Sequence, residues 1–148
     1  MRVLVVDDEP LARARLVKML ADIGGIEVVG EAGDGSSAMS AVDLHAPDVL
    51  LLDIRMPGVD GMEVAKRLST REDAPAIIFC TAYDQHALAA FEAWRGTTSG
   101  PMATLLISDG IEHAAAATQP GAALLAEALA GAGRLTLALA EGRPVRLL

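Results

Sequence analysis

The sequence predicts an α/β fold, with a parallel sheet and helices packed on both faces, in a chain of 148 residues. Three observations predict it. Short, continuous apolar runs rich in β-branched residues recur as far as residue 80, as expected of strands covered on both sides. Between them lie segments whose apolar residues return at helical spacing. Glycine and proline punctuate the passages between the two kinds of segment, so that strands and helices alternate.

The first strand is residues 3–6, Val-Leu-Val-Val, and it ends at Asp7-Asp8-Glu9. Pro10 is tolerated in the first turn of the helix that follows. Ala12, Leu16, Met19, Leu20 and Ile23 make that helix's inner stripe, Arg13, Arg15 and Lys18 face water, and Gly24-Gly25 stops it. Residues 26–29 are the second strand. Gly35-Ser36-Ser37 opens a second helix through about Leu44, which Ala46-Pro47 breaks. Residues 49–52 form the third strand, ending at Asp53. A loop over 55–61 leads to a helix with Val64, Ala65 and Leu68 inside. Residues 76–80 make the fourth strand, ending at Thr81, and a fourth helix packs through Ala87, Ala90, Phe91 and Trp94.

After residue 93 the texture changes. Residues 97–101 read as a loop, 102–107 as a fifth strand and 122–130 as a fifth helix, in a stretch where 94–148 holds 13 alanines. Residues 134–148 alternate around Glu141-Gly142 and read as a β-hairpin. The whole is a flavodoxin-like (βα)5 three-layer sandwich whose last βα unit is atypical. Residues 1–131 form one domain, clear over 1–93 and divergent over 94–131, and 132–148 is an extension.

Composition narrows the function. Aromatic residues are 3% of the chain against 52% hydrophobic, so the core is built from Ala, Val, Leu, Ile and Met. Cys80 is the one cysteine, which excludes a disulfide framework and fits a reducing compartment. The opening residues lack a signal-peptide pattern, and no apolar run reaches the length of a membrane span; the expected location is cytoplasmic. The net charge of −8 lies entirely in residues 1–93, with 16 acidic against 8 basic residues, while 94–148 holds 4 of each. No cluster of Lys and Arg marks a nucleic-acid footprint, so direct DNA binding by this chain is not expected.

Asp7, Asp8, Asp53 and Thr81 all fall at carboxyl ends of buried strands, the edge where an open α/β sheet holds its ligand. With the first and third strands adjacent, three carboxylates converge. They would repel and raise one another's pKa, and a hard divalent cation such as Mg²⁺ relieves this. The competing reading is that Asp7 and Asp8 merely cap the first helix, where acidic side chains suit the dipole. His45, His86 and His113 show no metal-ligand spacing. Cys80 and Met56 read as packing residues.

Val-Val-Asp7-Asp8-Glu9-Pro10, Leu-Leu-Asp53-Ile-Arg-Met-Pro57-Gly58-Val-Asp-Gly61 and Phe-Cys-Thr81-Ala-Tyr-Asp84 together resemble the response-regulator receiver domain of two-component systems. The wording from Thr81 to Ala93 is most similar to receivers of the alginate-regulator, or LytTR, type. The resemblance covers residues 1–93 and implies a role for each position. Asp53 would be the phosphoacceptor, with Thr81 bonding the phosphoryl oxygen. Mg²⁺ would be held by Asp7, Asp8, Asp53 and the backbone carbonyl of Arg55. The donor would be a phosphohistidine on a sensor histidine kinase, and a second copy would dock on the face made by the fourth helix and fifth strand. The protein would be a signalling switch and not a turnover enzyme.

The ending departs from that pattern. The family's fifth strand carries an aromatic residue and then a lysine that pairs with the phosphoryl group. Counted without gaps from Thr81, these fall at Thr98 and Pro101; with 103–106 as the fifth strand, they fall at Thr104 and Ile107. No lysine follows Lys66. About 15 residues follow the fifth helix, too few for a LytTR-type DNA-binding domain. The competing function is therefore a pseudo-receiver, a protein-binding module without a phosphorylation switch. A phosphohydrolase of the haloacid-dehalogenase kind would want Asp-x-Asp after the first strand, and Asp7-Asp8-Glu9 does not supply it.

Overall fold

In the computed structural model the chain builds a six-stranded sheet in the order β2-β1-β3-β4-β5-β6. The structure describes residues 1–82, 103–108 and 135–137, with side-chain surroundings for 1–80. The strands are β1 (Arg2–Val6), β2 (Glu27–Ala32), β3 (Val49–Leu52), β4 (Ala76–Ala82), β5 (Ala103–Ser108) and β6 (Leu135–Leu137). The helices are α1 (Pro10–Ala21), α2 (Gly35–His45) and α3 (Gly61–Leu68). β1 to β5 pair in parallel, in the flavodoxin-like order expected, and β6 adds antiparallel to β5.

Strand alternation divides the core into two layers. Leu4, Val6, Leu50, Leu52, Ile77 and Phe79 face one side and pack with Ala38 and Val42 of α2 and Val64, Ala65 and Leu68 of α3. Val3, Val5, Val49, Leu51, Ala76, Ile78 and Cys80 face the other and pack with Leu16 and Leu20 of α1. Side chains i and i+2 of a strand share a face, so an unbroken apolar run feeds both layers. Each fully buried Leu or Ile stabilises the fold by about 1.5–3 kcal/mol relative to exposure. The chain order reverses at β1, and right-handed crossovers then place α1 opposite α2 and α3.

Several boundaries differ from the sequence reading. The second strand begins one residue later than expected and runs to Ala32, because pairing with β1 continues to Val6↔Ala32. The register slips between Val3 and Leu4, where Val3 pairs with Val28 and Leu4 with Gly30. β4 runs one residue past Thr81, to Ala82, because β5 supplies a partner, Ser108, at that level. The fifth strand lies one residue later than expected, at Ala103–Ser108. The expected hairpin's first arm pairs with β5. Its second arm, the fourth helix through Ala87, Ala90, Phe91 and Trp94, the loop over 97–101 and the fifth helix over 122–130 lie outside the described residues.

Candidate functional site

The β1–β3 ladder ends at Val6↔Leu52, and the next residues of the two strands are Asp7 and Asp53. Asp53 N–H donates to the Val6 carbonyl at 2.9 Å, and Asp7 N–H to the Ala32 carbonyl at 3.1 Å. The pairing therefore carries past the last apolar residues and sets two carboxylates side by side. Asp8 joins them from the turn into α1. Among the described residues, Asp7, Asp8 and Asp53 each offer an oxygen within 4.8 Å of the others.

Helix capping does not explain the acidic pair. The N-cap of α1 is Glu9, and no side chain caps it. Asp7 is instead buried, with 7% exposure, and its Oδ1 accepts the Glu9 N–H at 2.8 Å. Asp8 is exposed and Asp53 half-buried, so the cluster opens outward on the Asp8 side.

The loop after β3 is pinned from inside. Ile54 and Met56 are buried while Arg55 between them is exposed. Arg55 N–H donates to Asp53 Oδ1 at 3.3 Å, so this residue meets the site first through its amide. Gly58 turns the chain at φ 75°. Gly61 N–H then donates to the Ile54 carbonyl at 2.9 Å, and Asp60 caps α3 by accepting the Glu63 N–H at 2.9 Å. A Cβ on Gly61 would run into the Asp53 carbonyl, so glycine alone lets α3 start against the strand end.

Burial and the neighbouring carboxylates set the electrostatics of the site. Asp53 is pushed up to about 7, first by burial and then by the Asp7 charge, with the Arg55 and Ile54 amides pulling the other way. Asp7 is also raised, by burial first, and the Glu9 amide offsets part of that. Two raised carboxyls, Asp7 and Asp53, with the Asp8 carboxylate beside them, fit a hard divalent cation. Octahedral oxygen ligands about 2.1 Å from Mg²⁺ stand about 3 to 4 Å apart, so the cluster needs only slight contraction. Cys80 lies against the α1 layer; burial, then the Asp7 and Asp53 charges, pushes its thiol well above the ordinary range, and it is a packing residue.

Thr81 is reached through register. β3 and β4 pair up to Leu52↔Phe79, which sets Thr81 beyond the last paired residue, on the carboxyl side. On its other flank Thr81 pairs with Ile107, and Ile78 with Thr104. This is the register in which Thr104 and Ile107 would take the positions of the family's aromatic residue and lysine; Thr98 and Pro101 lie outside the described residues.

Sequence reasoning missed one residue at this site. Arg13, expected to face water, is turned back toward the end of β1. Its Nη1 donates to the Asp7 carbonyl at 2.7 Å and its Nε to Glu31 Oε2 at 3.0 Å. Helical periodicity could not show this, because Glu31 comes within reach only through the β1–β2 register.

An open parallel α/β sheet with an acidic cluster at its carboxyl edge, fed by the first and third strands, defines the class of doubly wound α/β proteins with a candidate cation site at the ligand edge. Within that class the family is specific: the response regulator receiver domain model matches residues 3–96, and the chain belongs to that family. The chain is 53% identical over 93 residues to the positive alginate biosynthesis regulatory protein of Pseudomonas aeruginosa, covering 62% of this chain and 38% of that protein. It is 46% identical over 91 residues to the transcriptional regulatory protein BtsR of Escherichia coli K12, covering 62% and 38%. Among solved structures it is similar to the signal receiver domain of NarL from Mycobacterium tuberculosis, with a TM-score of 0.60 and 37% identity over 70% of this chain and 81% of that one. The similarity to the alginate regulator agrees with the LytTR type indicated by the motifs. The matched part spans well under half the length of these curated relatives. No helix among the described residues is long and apolar enough to cross a membrane.

Proposed function

We propose that this domain accepts a phosphoryl group on Asp53 from a phosphohistidine of a sensor histidine kinase, and that the acylphosphate is a signal and not a turnover intermediate. The observation that carries this reading is the meeting of Asp7, Asp8 and Asp53 oxygens within 4.8 Å at the carboxyl ends of β1 and β3. An Asp53 oxygen attacks phosphorus, the P–N bond to the imidazole breaks, and the leaving nitrogen keeps the electron pair. Positioning and charge neutralisation supply most of the catalysis for such a transfer.

Asp7, Asp8 and Asp53 would hold Mg²⁺, with the Arg55 carbonyl as a further ligand. The ion, when bound, neutralises charge on the acceptor and on the transferring oxygens. Without a cation Asp53 keeps its proton up to about pH 7; a cation among the three carboxylates favours the ionised, nucleophilic form. The Arg55 amide orients the Asp53 carboxylate through Oδ1. Thr81, at the carboxyl edge of β4, is assigned the hydrogen bond to the phosphoryl group.

Intact-mass measurement after exposure to acetyl phosphate or phosphoramidate with Mg²⁺ tests this. One phosphoryl group should be gained, and Asp53→Ala should gain none. A gain that persists in Asp53→Ala would assign the acceptor elsewhere.

A further inference from the structure

Asp7 is held through three of its groups. Its amide bonds Ala32 of β2, its carboxylate accepts the Glu9 amide, and its carbonyl accepts the guanidinium of Arg13. The last contact ties the peptide between Asp7 and Asp8, and so bears directly on where the Asp8 carboxylate points. Arg13 is itself fixed from the far side by Glu31 of β2, and only 21% of its side chain is exposed. Its backbone is set by the first turn of α1, where its amide bonds the Glu9 carbonyl at 3.0 Å.

We infer that Arg13 is a positioning residue for the divalent-cation site: braced by Glu31, it holds the Asp7–Asp8 peptide so that both carboxylates meet Asp53. The inference rests on the metal-binding reading above. Two effects of Arg13 oppose each other. Its positive charge disfavours a cation nearby, and its hydrogen bond preorganises two ligands. Positioning dominates, because the guanidinium touches the Asp7 carbonyl and not its carboxylate, and its ion pair with Glu31 offsets its charge. A charge-assisted hydrogen bond of this kind, partly open to solvent, contributes about 1 to 1.4 kcal/mol, or about five- to tenfold in affinity.

The test is Mn²⁺ affinity, from the free-ion paramagnetic resonance signal, for wild type, Arg13→Ala, Arg13→Lys and Glu31→Ala, with urea midpoints of the metal-free proteins. Arg13→Ala should bind Mn²⁺ about five- to tenfold more weakly. Arg13→Lys, which keeps the charge without the fork that bridges Glu31 and Asp7, should fall between. Glu31→Ala should weaken binding less, and adding it to Arg13→Ala should cost little more. Unchanged or tighter binding in folded Arg13→Ala, with only the urea midpoint lowered, would reduce Arg13 to a structural role and overturn the inference. Wild type that binds no Mn²⁺ would overturn the metal-binding reading and this inference with it.

Discussion

With the metal removed, this protein should be more stable in mild acid than above neutrality, and Asp53 is the main reason. Its carboxyl is pushed up to about 7 in the folded state, by burial first and the Asp7 charge next, and returns to about 3.9 in the unfolded chain. Between those values the folded chain holds a proton that the unfolded chain has already lost. Stability is therefore highest at the acid end and falls as pH rises through about 4 to about 7. The full separation corresponds to about 4 kcal/mol, of which about 2.7 kcal/mol is crossed between pH 5 and pH 8. Asp53 is only half-buried, and screening by water brings the expected loss to about 1.5 kcal/mol. Asp7, also raised, acts in the same direction. The assay is urea unfolding followed by far-ultraviolet circular dichroism, in chelator, at pH 5 and pH 8, for wild type and Asp53→Asn. Taking the difference between the two proteins cancels groups that titrate alike in both. Asp53→Asn should match wild type near pH 5 and exceed it by about 1.5 kcal/mol at pH 8. A wild type that is equal to or more stable than Asp53→Asn at pH 8 without metal would refute the reasoning.

Two further outcomes follow from the same geometry. Millimolar Mg²⁺ should raise the wild-type melting temperature by mass action, and Asp8→Ala, which removes an exposed ligand without opening a core cavity, should abolish that rise; an unchanged rise, seen by differential scanning calorimetry, would place the ion elsewhere. Gly61→Ala drives a Cβ into the Asp53 carbonyl, so it should destabilise by about 2 kcal/mol or more and weaken Mn²⁺ binding as well, since the backbone that must yield carries the acceptor. A urea midpoint within error of wild type would show that α3 shifts without cost.

The fold class, the strand order and the acidic cluster were all legible in the sequence, because each depends on local chemistry. Short continuous runs such as residues 49–52, bounded by breakers such as Pro47, suit covered strands, and Asp7 and Asp53 follow two of them directly. The three motifs around Asp7, Asp53 and Thr81 carried the family together. Where β2 ends was not legible: its last three residues, Gly30, Glu31 and Ala32, are poor strand formers taken into the sheet by pairing with β1. Nor could periodicity place Arg13, whose contacts with the Asp7 carbonyl and Glu31 link residues 6 and 18 positions apart. The choice between two registers for the fifth strand, and hence Ile107 opposite Thr81, belonged to the ladder alone. Local propensity reports what one segment can become. Register, burial and the meeting of charges depend on which segments lie beside it, and tertiary structure decides that.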